Sequence, residues 1–129
     1  MTATLLTLTV VIALGPAQPT YKGQPRKPSP VAPSLPLLTD EEEDELDRII
    51  DRFIAADIGK LTGAEARKAK EDLKKLGPPA IPALIRGLNR AAKLEQSCPA
   101  LILARRLSDL LNRTDDLELL EFARENIGA

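Results

Sequence analysis

Leu73-Lys-Lys-Leu-Gly-Pro-Pro-Ala-Ile-Pro-Ala-Leu-Ile-Arg-Gly-Leu88 is the stretch on which the reading of this chain turns. A helical pattern runs up to Leu76 and stops at Gly77. Glycine suits the left-handed position just past a helix end, and Pro78 cannot continue the helix. Pro79 and Pro82 fit the first turn of a new helix, where amides have no intrahelical acceptor to lose. Ile81, Leu84, Ile85 and Leu88 then recur at helical spacing. The stretch therefore predicts an αα-hairpin. Gly87 predicts close approach of another helix, at some cost in helix propensity.

The surrounding sequence predicts four more helical features. Thr39 with Glu42 forms a capping box, and Asp40 to Asp44 place negative charge at the positive end of a first helix. Leu46, Ile49, Ile50, Phe53 and Ile54 make its apolar stripe, and Gly59 ends it. Thr62 with Glu65 repeats the capping pattern and opens a second helix, whose thin stripe is Ala66, Ala69, Leu73 and Leu76. After the third helix, Ser97 is a cap for a fourth, with Cys98 and Pro99 in its first turn. Leu101, Ile102, Leu103, Ala104, Leu107, Leu110 and Leu111 make that helix apolar over a wide arc, which predicts the centre of the domain. Asp115 or Asp116 caps a fifth, with Leu117, Leu120, Ala123 and Ile127 inward.

Composition narrows the chemistry. The 129 residues include no His, no Trp and a single Cys. Absence of His removes the commonest neutral-pH acid or base and the commonest metal ligand. Cys98 alone makes neither an internal disulfide nor a zinc site. It sits where a helix N-terminus favours a thiolate, but catalysis would also need a base. No cofactor, metal site or catalytic group is expected, and the chain reads as a non-enzyme. The net charge of −1 argues against nucleic acid as a partner. The charge is unevenly spread: Asp40 to Asp57 is strongly acidic, Lys60 to Arg113 basic, and the segment after Asp115 acidic again.

Leu5-Leu-Thr-Leu-Thr-Val-Val-Ile-Ala-Leu14 is uncharged and apolar, and Gly15-Pro16-Ala17 supplies small residues at a signal-peptidase spacing. Residues 1–17 read as a signal peptide without a basic n-region, and the protein as periplasmic or secreted. Rival readings are an uncleaved membrane anchor, a mis-assigned start and a cytosolic protein. A span needs about 20 apolar residues, more than this run offers. Residues 18–38 read as a disordered, proline-rich tether, because proline fixes φ and removes amide donors. The helical domain is then 39–129.

Leu73 and Leu76 are echoed by Leu107 and Leu110, and Ile81 and Leu84 by Leu117 and Leu120, a period of about 35 residues. Leu76-Gly-Pro-Pro-Ala-Ile-Pro-Ala-Leu-Ile85, followed by Leu88, resembles the junction and second helix of a HEAT repeat. Asn112-Arg-Thr-Asp-Asp116 departs from that pattern where the echo would need Gly-Pro-Pro. With the signal-like start and tether, the arrangement resembles small exported bacterial proteins. The resemblance implies an all-α fold: a short right-handed stack of αα-hairpins, about two units plus an N-terminal helix. It also implies a binding scaffold without chemistry of its own.

The functional expectation is a protein-interaction module, with an accessory subunit, regulator or inhibitor of an exported enzyme as the alternative. Self-association remains open if the last helix keeps an apolar outer face. Arg86, Arg90 and Lys93 share one face of the third helix, and Arg105, Arg106 and Arg113 lie on the fourth. Guanidinium groups bind acidic partners through two oxygens at once, so Arg86, Arg90, Lys93, Arg105 and Arg106 are the candidate contacts. The competing reading pairs these cations with the acidic first and last helices.

Overall fold

The protein is described by a computed structural model over residues 31–96 and 98–129. The signal-peptide reading, most of the tether and the Ser97 cap lie outside those residues. All regular structure in the described part is helical: α1 (Asp40–Asp57), α2 (Gly63–Lys74), α3 (Ile81–Ala91), α4 (Cys98–Leu111) and α5 (Leu117–Asn126), with a 3-10 turn at Pro78–Ala80.

The start of α1 follows from its sequence. The Glu42 amide donates to Thr39 Oγ1 at 3.1 Å, and the Thr39 amide donates to Glu42 Oε2 at 2.9 Å. Ile50, Phe53 and Ile54 are buried, and Leu46 and Ile49 pack beside them. Gly59, with φ 87°, turns the chain away after the helix. At α2 the local pattern misleads. Thr62 occupies the N-cap position, but its side chain caps nothing. Gly63 enters the helix with φ 65°, a left-handed backbone that changes the approach of the chain.

The Gly-Pro-Pro junction also differs from expectation. Gly77 is extended, with φ −113° and ψ −162°, and is not a left-handed cap. A residue before proline is pushed out of the helical region, and that restriction prevails here. The freed carbonyls at the end of α2 find a tertiary partner instead. The Arg106 guanidinium donates to Lys74 O at 3.2 Å and also to Leu76 O. Pro79 lies in the 3-10 turn, and Pro82 in the first turn of α3.

Close packing joins α1 to α2, α3 to α4, and α1 to α3, with lighter contacts of α1 with α4 and of α3 with α5. The helices on either side of the junction, α2 and α3, are not a closely packed pair, so the junction links two helices that both lie on α1. It is not the tip of a hairpin. The most buried helix is α3, with six buried residues of 11 against four of 14 in α4. A Cβ at Gly87 would overlap Ile50 Cγ2, and this glycine lets the α1 and α3 backbones come together. Ala83, Gly87 and Ala91 recur every fourth residue and are buried along with Ile81, Leu84 and Ile85.

Two further apolar assignments change. In α4, Leu103, Leu107 and Leu110 are buried, but Leu101 is 61% exposed. In α5, Leu119 and Ala123 point inward, while Leu117 is 78% and Ile127 41% exposed. The leucine pair Leu119–Leu120 offers two registers, and packing on α3 selects the one led by Leu119. The echo of Ile81 at Leu117 is thus not a buried equivalent. Residues 31–38, read as the last part of the tether, lie on the domain: Ala32 and Leu35 are buried, and the Ser34 amide donates to Asp116 Oδ2 at 2.9 Å.

Candidate functional site

The candidate cations separate into three kinds once the helices pack. Glu43, Asp47 and Asp51 repeat every fourth residue along α1, and Arg86 and Arg90 do the same on α3. Close approach at Gly87 brings the two rows together. Arg86 donates to Glu43 Oε1 at 2.8 Å and to Asp47 Oδ1 at 3.1 Å. Arg90 donates to Asp51 Oδ1 at 2.6 Å through one terminal nitrogen and at 3.1 Å through Nε. Partial burial opposes the charge on Arg86, but its bonds to Glu43 and Asp47 outweigh this and raise its pKa above the ordinary value.

Arg106 is of the second kind, a cap on the α2 C-terminus, with its Nε buried and unbonded. Lys93 and Arg105 form the third: both are exposed and neither is ion-paired to a described residue. The five candidates are therefore not one free patch. Arg86 and Arg90 have the intramolecular acidic partners that the competing reading assigned to them. Cys98 is exposed at the start of α4.

Three hollows stand out among the described residues. The first is a shallow trough on α1 lined by Asp44, Asp47, Arg48, Asp51 and Arg52, where acids and bases already alternate. The second is a recess of about 240 Å³ between Ser34 and the side chains of Ile81, Leu110, Arg113 and Leu119. Its wall includes the strap of residues 31–38. The Asp116 carboxylate ties that strap while capping α5 through the amides of Glu118 and Leu119 at 3.0 and 3.2 Å. Hydrogen bonding from Ser34 does most to hold Asp116 below the usual aspartate pKa; desolvation opposes, and the two helix amides add to the lowering.

The third hollow is apolar, about 270 Å³, and lies where α4 faces the end of α5. Leu88 and Leu107 line it together with Ala104, Leu111 and Ile127. Leu101, one turn before Ala104 on α4, is 61% exposed. Reasoning from sequence turned every leucine of α4, and Leu117, Leu120 and Ile127 at α5, inward, and left out Leu119, which is buried. The signal was present as an excess: both helices carry more leucines than one buried stripe needs.

Asn89 fastens this end of the molecule, donating to Asn126 O at 2.9 Å and accepting from the Gly128 amide at 2.7 Å. Among the described residues, no group of three or more Cys, Asp or Glu is placed to hold a metal ion. No described helix is long and apolar enough to cross a membrane. No protein-family model matches the chain, and searches of curated proteins and of solved structures give no match.

Proposed function

We propose that this chain is a non-catalytic protein-interaction module, exported behind its N-terminal apolar segment and built as a minimal HEAT-like stack of helix pairs. The order of contacts supports the stack. With α1–α2 and α3–α4 as the pairs, the contacts of α1 with α3 and of α3 with α5 are those expected along one layer of such a stack. This phasing is one helix removed from the hairpin read at Gly77.

The observation that carries the function is the apolar surface at the C-terminal end, with Leu117 at 78% and Leu101 at 61% exposure. Solitary exposed leucines are ordinary, but an open apolar groove lined by Leu88, Ala104, Leu107, Leu111 and Ile127, on helices that also expose leucines, marks an interaction surface. Binding is therefore assigned to this end and not to the Arg86–Arg90 row, whose guanidiniums have acidic partners within the domain. Lys93 and Arg105 remain exposed.

The test compares cross-linked partners of the full chain in its native host with those of Leu101→Glu/Leu117→Glu. The double variant is expected to lose partners that Arg86→Ala keeps. Equal recovery by all three chains would sink the assignment. Export is tested separately by N-terminal sequencing of protein from outside the cytoplasm. A cytoplasmic chain still beginning at Met1 or Thr2 would refute it.

A further inference from the structure

Residues 31–38 do more than a tether needs to do. Ala32-Pro33-Ser34-Leu35 places proline second in a four-residue turn, where its fixed φ is favoured. The Leu35 amide donates to Ala32 O at 3.3 Å and closes that turn. Its two ends, Ala32 and Leu35, are buried in the core cluster, while Pro33 and Ser34 are exposed. From the exposed side, the Ser34 amide donates to the Asp116 carboxylate at the start of α5.

The helix on the other side of that bond is lightly held. It has 10 residues, too few for a helix to persist alone, and buries Leu119 and Ala123. Its contacts with α3 are light, and side-chain hydrogen bonds fasten both of its ends. At the start, one Asp116 oxygen caps α5 and the other ties the strap. At the end, Asn89 of α3 bonds Asn126 O and the Gly128 amide. The recess between Ser34, Ile81, Leu110 and Leu119 interrupts the packing beside the first fastening. Ile127, just past the last turn, lines the apolar groove.

We infer that the strap and α5 form one latch, which opens as a unit while α1 to α4 stay folded, so that release of the strap loosens the Ile127 wall of the groove. Segments with little buried apolar surface open first, in contiguous cooperative units. The shared carboxylate makes the two openings interdependent. Lifting α5 takes Asp116 away from Ser34, and lifting the strap strips one wall from the recess beside Leu119. A partner that takes hold of residues 31–38 therefore acts on the groove at the far end of α5. That regulation rests on the proposed function, which makes the groove a partner surface; the coupled opening does not.

The test is native-state amide hydrogen exchange on the purified full chain at constant pH. In the wild type, the amides of Ser34, Leu120 and Ile127 are expected to share one protection factor, below that of amides in the middle of α3. Leu35→Ala changes only the strap, and Asn89→Ala unties only the far end of α5. Each should lower protection at both Ser34 and Ile127 by at least about fivefold, because a shared opening feels either loss in full.

Effects confined to the altered end overturn the inference: Ser34 alone for Leu35→Ala, or Ile127 alone for Asn89→Ala. Wild-type protection of Ser34 and Ile127 equal to that of α3 also overturns it, since the latch would then open only with the whole domain. Should Leu35→Ala unfold the chain, Asn89→Ala carries the test. Exchange needs no partner, so failure here leaves the proposed function standing. Equal partner recovery by the Leu101→Glu/Leu117→Glu chain would instead remove the groove as a partner surface and leave the latch in place.

Discussion

Single residues here act through the neighbours that packing brings to them. Gly87 is the sharpest case, since an added Cβ would overlap Ile50 Cγ2. Alanine favours an exposed helix interior by roughly 1 kcal/mol over glycine, but forcing a methyl into a closed contact costs about 1–3 kcal/mol. Gly87→Ala is therefore expected to destabilise the domain in urea unfolding. Ile50→Ala, which removes the clashing methyl, should suppress that loss in a double-mutant cycle. Additive effects would show that the contact is not the cause. Arg106 and Arg86 make a second contrast. Arg106→Ala removes the partner of two backbone carbonyls and should cost about 1–3 kcal/mol. Arg86→Ala breaks half-exposed ion pairs worth roughly 0.2–1 kcal/mol each, so its midpoint should move less and should depend more on salt. Periodicity marked both arginines as surface residues. It could not tell them apart, because the acceptors of Arg106 lie on another helix.

At the scale of the element, capping sequences are necessary but do not suffice. Thr39–Glu42 and Thr62–Glu65 have the same spacing, yet only the first makes the reciprocal bonds. Thr39→Ala should cost about 1 kcal/mol, and Thr62→Ala only a few tenths, measured side by side in denaturant. Equal losses would contradict the caps described. Asp116 joins two elements, since one oxygen caps α5 and the other holds the strap. Its folded pKa is depressed, so its contribution is present above the ordinary aspartate range and is lost as pH falls through the folded value. The protection of the Ser34 amide, its exchange compared with that of an unstructured chain at the same pH, should accordingly fall on acidification. Asp116→Asn, which can still cap, should remove that pH dependence and keep α5, whereas Asp116→Ala should weaken both. The strap was illegible in advance because proline-rich composition describes a chain's backbone options, not whether a few apolar side chains such as Ala32 and Leu35 find a hollow.

For the whole molecule, the decisive property is the apolar surface left at its C-terminal end. Burial and exposure separate within single helices: Leu119 is 1% and Leu117 78% exposed, although both are leucines of α5. If α5 were a terminal cap, Leu117→Glu would be silent in every assay. An effect on partner recovery with none on helicity is instead expected. The leading candidates drawn from sequence, Arg86 and Arg90, lost prominence for a related reason. Acidic and basic stretches far apart in the chain become neighbours across α1 and α3, and each row supplies the counter-ions of the other.

The all-helical class of the described residues, the positions of their helices and the capped start of α1 were determined by local sequence. Spacing, capping chemistry and propensity act within a few residues, so they are legible without a fold. Which helices pair, which of two leucine registers turns inward, how the end of α2 is capped and which surface stays apolar were decided only by tertiary packing. Those outcomes depend on contacts between residues as far apart as Glu43 and Arg86, or Ser34 and Asp116, and no local pattern contains them. The Gly-Pro-Pro junction shows the boundary between the two. Its sequence determined that one helix stops and another begins, and the packing of both on α1 decided that they do not form a hairpin.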